Sequence, residues 1–449
     1  MAGFVGKESG HNNYDGINVI VDKGRFFDNN FGKYQTNNKY LNETGNEFSV
    51  DFSARLLENR NRLLSTLLGN LENEEDGMIS EDITVYTGIG GIALLFMKIS
   101  SNSDWTNLEE KAKNKYLRAA CKNTYYKSKM KKRPTFLCGL AGPLAIKAVA
   151  DSGVANSGTP SNEAEALQSV NTLLEILPAT LKTSSDLPNE LLYGRAGYLY
   201  ALLYVKKNVK EPTIANGITP EVIGNLTKVI IDEGVQYAKR TKRQVPMWWE
   251  WHEKEYIGGA HGVAGVLHTL LCAIEYIPEE LIRSHLKPTL DYLVRLQFPS
   301  GNFPSSVERK SMPTNDKLLH FCHGAPGVIH LLLKAHEIWP NNEDSYLVRA
   351  RRCGDTIWQR GLLKKGYGIC HGVSGNTYAF IRLWNVTNEP EYLYKAARFA
   401  EWCFDYGSRG CRTPDRPLSL FEGIAGVIYM LTDLIQGPAT AQFPAFCGI

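Results

Sequence analysis

Two short stretches place a cysteine directly before a histidine and a glycine: Cys322-His323-Gly324 and Cys370-His371-Gly372. A thiolate beside an imidazole, presented twice, is a donor set for zinc, which takes sulfur and nitrogen ligands in tetrahedral sites. Three protein ligands drawn from these four candidates leave a fourth position for water or substrate, which marks a catalytic rather than a structural zinc. A lone buried cysteine is usually a small hydrophobe; two Cys-His pairs in register argue against that reading.

Both pairs introduce one pattern, Gly-x-x-Gly followed by an apolar run, which begins seven times, at Gly88, Gly139, Gly194, Gly262, Gly324, Gly372 and Gly423. The residues just before these glycines form a column, Thr87, Cys138, Tyr193, His261, His323, His371 and Glu422, that holds three of the chain's ten histidines. Glu190 and Glu422 are candidates for groups that orient a neighbour, the alternative being a carboxylate that caps a helix start, where negative charge is favoured.

The steps between glycine motifs run from 48 residues (Gly324 to Gly372) to 68 (Gly194 to Gly262), the length of two helices and their connections. Segments between motifs carry one apolar stripe at helical spacing, as in Leu56, Leu64, Leu67, Leu71 or Leu393, Ala396, Ala400, Cys403. The segments after each motif are apolar almost all round, as a helix buried on both sides must be. Paired glycines permit a tight turn and close backbone approach at each inner helix start, and the helix ends leave N–H groups aimed at one shared mouth. The pattern predicts an all-α fold: a double-layered α/α toroid of seven helix-pair repeats, residues 46–449 forming one domain. An open solenoid would want polar caps at its ends. Residues 1–45, rich in Asn and Gly, are expected to form a polar arm outside the ring.

Composition bounds the partners. With 43% apolar and 22% charged residues the chain can bury a large core. A net charge of +3 lacks the basic excess that nucleic-acid binding requires. The strongest basic cluster, Lys127, Lys129, Lys131, Lys132 and Arg133, reads as a solvated loop. No run reaches the roughly 18 apolar residues of a membrane span, the N-terminal residues lack the apolar core of a signal peptide, and Ala2 stands where N-myristoylation needs glycine. A cytoplasmic location is expected, and nine widely spaced cysteines then read as reduced thiols or metal ligands.

Taken with all seven glycine turns, six stretches are specific: Leu191–Gly197, Phe298-Pro-Ser-Gly-Asn302, Cys322–Gly327, Leu362–Gly372, Cys411-Arg-Thr-Pro-Asp415 and Phe443-Pro-Ala-Phe446. On these the sequence resembles the eukaryotic, glutathione-binding branch of the lanthionine synthetase C-like family, from about Phe52 to Phe446. The resemblance implies one zinc ion on Cys322, Cys370 and His371, with His323 unligated, and the same toroid. It implies a transferase that adds the thiolate of glutathione to dehydroalanine or dehydrobutyrine in peptides or proteins. His261 matches a histidine with a proton-donating role, for which an imidazole is suited; Glu190 joins it as a catalytic candidate. Lys365, Arg412 and Asp415 match glutathione-binding positions, and Arg25 matches an N-terminal arginine. For Lys364 and Lys365 the plainer reading is a solvated pair ending an outer helix. Trp248, Trp249 and Trp251 read more as packing than as a substrate entrance.

The rival to an enzyme is a zinc- and glutathione-binding signalling adaptor without turnover. A glycosidase on the same architecture would need two carboxylates flanking a sugar, and the column offers chiefly His and Cys.

Overall fold

The computed structural model describes residues 19–73, 82–100, 133–153, 162–183, 186–308, 313–341 and 345–449. Of the basic cluster only Arg133 falls among them; Lys127, Lys129, Lys131 and Lys132 lie outside the described residues.

Helices dominate. The main ones are α1 (Val50–Asn73), α2 (Ile89–Ser100), α3 (Ala141–Asp151), α4 (Glu163–Leu174), α5 (Arg195–Asn208), α6 (Pro220–Arg240), α7 (Val263–Cys272), α8 (Lys287–Val294), α9 (Ala325–Ile338), α10 (Tyr346–Arg360), α11 (Val373–Thr387), α12 (Pro390–Phe404) and α13 (Ile424–Gln436). The helices that follow the glycine motifs, α2, α3, α5, α7, α9, α11 and α13, each pack on the next, and α13 packs on α2. The inner ring therefore closes. Around it α1 lies on α13, α4 on α3, α6 on α5, α10 on α9 and α12 on α11, giving two concentric helical layers. The toroid expected from the repeats is the fold.

The two layers differ as their sequences require. Every residue of α2 except Lys98 is buried, and α9 is buried from Ala325 to Leu333. In α10 the buried residues Tyr346, Ala350, Cys353, Gly354 and Ile357 recur at helical spacing and leave the opposite face to arginines. The outer helices α4, α6 and α10 start at side-chain caps: Thr219 accepts from the Val222 N–H of α6 at 3.2 Å, Asn162 caps α4 and Ser345 caps α10.

The glycine turns are joined by a belt of backbone hydrogen bonds. Tyr86 N–H donates to Leu137 C=O at 3.0 Å, Phe136 to Gly197 at 3.1 Å, Leu191 to Ala260 at 3.1 Å, Gly259 to Phe321 at 3.0 Å, Cys322 to Cys370 at 3.4 Å, Cys370 to Phe421 at 2.8 Å, and Phe421 back to Tyr86 at 3.1 Å. Each bond crosses from one repeat to the next, and the seventh returns to the first. The second glycine of each motif lies against this belt. A Cβ on Gly197 would sit 2.0 Å from the Leu191 carbonyl oxygen and 2.8 Å from Thr135 Cβ.

Seven residues below the column, two turns down each inner helix, stand Tyr200, His268, His330, Tyr378 and Tyr429. All five are buried. The C-terminal segment fills the bore beside them: Phe446 stacks on His268 at 4.1 Å, and Phe443 meets His330 at 5.1 Å and Tyr378 at 5.5 Å.

Two-stranded pairings hold the loops: β1 (Ile20–Val21) runs parallel to β4 (Asn315–Asp316), and β2 (Glu255–Tyr256) antiparallel to β3 (Ser306–Val307). The N-terminal segment lies outside the ring of helices but is bound to it along most of its described length. Phe27 N–H donates to Leu362 C=O at 2.7 Å, Phe31 packs on Trp358 and Phe399, and Tyr40 and Leu41 are buried. No helix among the described residues is long and apolar enough to cross a membrane.

Two outcomes test this packing. Gly197→Ala forces the belt apart at one repeat and should cost about 1–3 kcal/mol of unfolding free energy, read from the urea midpoint. Burial pushes the His330 imidazole from its ordinary 6.5 down to about 3. The unfolded chain therefore takes up a proton near pH 6.5 that the folded chain refuses, and stability is lost as pH falls through that window. His330→Leu should remove about 2 kcal/mol of the stability difference between pH 7 and pH 5.

Candidate metal and active site

The belt decides what meets at the mouth. It runs through the backbones of Cys322 and Cys370, so the two thiols belong to adjacent turns, and His371 follows directly. One ligand atom from each of Cys322, Cys370 and His371 lies within 4.8 Å of the other two. Cys370 is buried, while Cys322 and His371 are half-buried from the side of the mouth. His323 is outside the cluster; its ring lies 5.4 Å from Tyr256 and 6.4 Å from His261.

The thiols share charge unequally. A hydrogen bond from the Cys322 thiol pulls Cys370 well below the ordinary thiol range against its burial, and His371 and Tyr86 add to the effect. The same bond, with burial, pushes Cys322 well above it. Burial opposes charge on His371, but the Cys370 thiolate and Glu422 outweigh it and raise the imidazole. Burial raises Glu422, with His371 pulling the other way. Two thiols and an imidazole converging with one thiolate already favoured is a donor set that fits zinc.

His261, from the fourth turn, faces the cluster's neighbour His323 and is held on two sides. Its Nδ1 lies 2.7 Å from Glu190 Oε2. The Trp251 indole stacks on its ring at 4.0 Å and 8°. Glu190 is itself fixed, buried and accepting the backbone N–H of Leu192 at 3.0 Å and that of Tyr193. The carboxylate assigns Nδ1 as the protonated nitrogen and leaves Nε2 available.

The other residues singled out in the sequence lie along one sector of the rim. Arg412 Nη2 donates to Asp415 Oδ1 at 2.9 Å, both side chains exposed. Arg412 N–H donates to Lys364 C=O at 2.9 Å, and Lys364 N–H to Arg25 C=O at 3.0 Å, which ties the N-terminal segment to this sector. The positive charges of Lys365 and Arg25 both act on His320, whose imidazole burial and the neighbouring His371 push down to about 3. Lys364 and Lys365 do not end an outer helix: α10 stops at Arg360, and the Lys364 ammonium lies over the Phe27 ring at 5.6 Å. Arg25 also pairs with Asp22 at 2.8 Å.

Two residues of the site had not been singled out. Tyr86 hydrogen-bonds Cys370 and stacks on Phe421 at 4.8 Å. His320 Nδ1 lies 4.0 Å from Cys322 Sγ, with its ring 5.9 Å from His371. Tyr86 has a visible signal, since it occupies the position of Cys322 and Cys370 in its own repeat. The tryptophans divide: Trp248 and Trp249 are packing, the latter donating to Ile230 C=O at 3.0 Å, whereas Trp251 flanks His261.

A closed α/α ring with a Cys-Cys-His cluster and a carboxylate-held histidine at one mouth defines the class. The family model described as lanthionine synthetase C-like protein matches residues 80–447, and the chain belongs to that family. It is 40% identical over 385 residues to the Danio rerio protein named glutathione S-transferase LANCL1, covering 85% of this chain and 89% of the relative. The solved structure of nisin cyclase superposes with a TM-score of 0.63, covering 83% of this chain and 93% of that one at 15% identity, and so shares the fold.

Cys370→Ser should lower bound zinc after dialysis at least tenfold, measured by inductively coupled plasma mass spectrometry. Cys411→Ser, whose sulfur instead reaches the Leu363 carbonyl at 3.6 Å, should leave it unchanged.

Proposed function

We propose that this protein is a zinc-dependent glutathione transferase that adds the glutathione thiol to dehydroalanine or dehydrobutyrine residues in peptides or proteins. The observation that carries the reading is the pairing of a Cys-Cys-His cluster with an imidazole held at 2.7 Å by a buried carboxylate on the same mouth. A relative that covers most of the chain bears the name of a glutathione S-transferase. Zinc held by Cys322, Cys370 and His371 would act as a Lewis acid that lowers the thiol pKa of glutathione and leaves a nucleophilic sulfur at neutral pH.

This chain's residues do the rest. Lys365, Arg412 and Arg25 supply positive charge for the two carboxylates of glutathione, and Asp415 supplies negative charge for its ammonium. Addition forms a carbon–sulfur bond at the β-carbon of the acceptor and moves the double-bond electrons toward its carbonyl. His261, taking a second proton from solvent at Nε2 while Glu190 holds its Nδ1–H, then delivers the Nε2 proton to the α-carbon, and the proton lost by the thiol passes to solvent. Glu190 holds the ring so that Nε2 faces outward, and Trp251 and Tyr193 fix its plane. An adaptor that only stored glutathione would have no use for this proton donor.

Mass spectrometry of a dehydroalanine peptide incubated with glutathione and purified protein tests the assignment. Wild type should give the adduct; His261→Ala should lose about 100-fold or more in rate with zinc retained. Glu190→Gln, which frees the tautomer, should lose roughly tenfold or more, also with zinc retained. No adduct from zinc-loaded wild type would overturn the enzyme in favour of the adaptor.

A further inference from the structure

A cavity of about 910 Å³ opens beside the site, and none of the roles above uses it. It borders the site at Tyr193 and Trp251, which line it and also stack on His261, at 6.0 and 4.0 Å. Its floor is apolar, with Leu187, Pro188 and Ile176. Among the described residues its charged lining is Asp186, Glu250 and Glu253 with Arg133. Arg133 lies over the Tyr193 ring at 5.3 Å, and Glu250 accepts from Tyr237 at 3.0 Å with Arg240 at 3.8 Å. That leaves Asp186 and Glu253 as the exposed negative charges of the wall.

Glu253 is held there by its turn. Trp251 and Lys254 exchange backbone hydrogen bonds at 2.9 and 3.1 Å, and His252 and Glu253 between them take φ of 47° and 58°. Such a two-residue turn normally uses Asn-Gly, which adopts positive φ freely. Here it carries two side chains to the edge of the cavity instead.

The two sectors differ in balance: near Cys370 and His371 stand Lys365, Arg25 and Arg412 with Glu422 and Asp415, whereas in the described lining of the cavity beside His261 three carboxylates face one arginine. We propose that this cavity holds the acceptor polypeptide and that Asp186 and Glu253 select acceptors with a basic residue beside the dehydroamino acid. The proposal rests on the transferase reading. The cavity lies at the large end for small-molecule sites, with room for a short extended segment. Trp251 and Tyr193 both line the cavity and pack on His261, so a segment held in the cavity lies next to the imidazole assigned to protonate its product. The acidic wall also repels the carboxylates of glutathione, which keeps the two reactants to their own sectors.

The test uses full-length zinc-loaded protein and three dehydroalanine peptides identical except for Lys, Gln or Glu flanking the reactive residue. Wild type should turn over the Lys peptide with kcat/KM about tenfold above the Glu peptide, a preference that shrinks in high salt. In Asp186→Lys/Glu253→Lys, with zinc content checked as evidence of folding, the ratio should fall to one or invert. A ratio unchanged by the double variant overturns the proposal. Matched peptides with alanine in place of dehydroalanine separate the two readings by binding alone, followed by isothermal titration calorimetry. If no peptide reacts, the transferase reading fails, and equal binding of Lys and Glu peptides overturns the acidic wall; tighter binding of the Lys peptide, lost in the double variant, supports it.

Discussion

The structure depends on the closed belt of seven backbone hydrogen bonds, Tyr86 to Leu137 and onward until Phe421 returns to Tyr86. Inner helices buried on all sides bring hydrophobic contact but no direction, because apolar burial is roughly proportional to area and indifferent to orientation. The belt supplies the register. Each bond sets the height of one helix start against the next, so seven turns lie at one level and their preceding side chains share a single mouth. Without that level, Cys322 and Cys370, 48 residues apart, would have no reason to meet. The glycines follow from the same constraint: a Cβ on Gly142 would fall 1.9 Å from the Phe136 carbonyl oxygen, and one on Gly375 1.9 Å from that of Ile369.

Electrostatics at the mouth follows from where each repeat puts its charge. The hydrogen bond between the two thiols favours charge on Cys370 and opposes it on Cys322, and Cys370 in turn raises the imidazole of His371. Tyr86 points its hydroxyl at the Cys370 sulfur and stacks on Phe421, so the first repeat meets the sixth through the thiol and the seventh through the ring stack. On the other side Glu190 braces the glycine turn before α5, accepting the N–H groups of Leu192 and Tyr193, while its Oε2 also holds His261. The backbone bonds fix the carboxylate, and the fixed carboxylate aims the ring.

Much of this was legible in the sequence because the repeat is local. Gly-x-x-Gly before an apolar run states a turn and a buried helix within a dozen residues, and seven copies at two-helix spacing state a ring. Register with the glycines also brought Cys322, His323, Cys370 and His371 together as candidates, and the family resemblance singled out Cys322, Cys370 and His371 among them. What escaped was set by geometry across repeats. Tyr86 is informative only once its column is known to contact Cys370, and His320 lies in a loop with no periodicity. The arm showed too few apolar residues to announce a docked strap, yet Phe27, Phe31 and Tyr40 at scattered positions bind it to the α10 and α12 side of the ring. Of three nearby tryptophans, only Trp251 turns toward His261, because the tight turn after it redirects the chain.

Histidine shows most clearly how position decides chemistry. His261 and His268 sit two turns apart on one inner helix, as do His323 and His330 on another. The upper members reach the mouth, where Glu190 or solvent meets them. The lower members are closed in by Phe443 and Phe446, and burial holds His330 neutral down to about 3 and His268 well below its usual range. An uncharged ring in an aromatic layer is a packing element, so the lower pair cannot donate protons near neutral pH, whatever its residue type. The C-terminal segment is what enforces this division. By packing Phe443 and Phe446 against His268, His330 and Tyr378 it closes in the lower histidines and leaves the glycine end as the place where histidine can titrate near neutral pH.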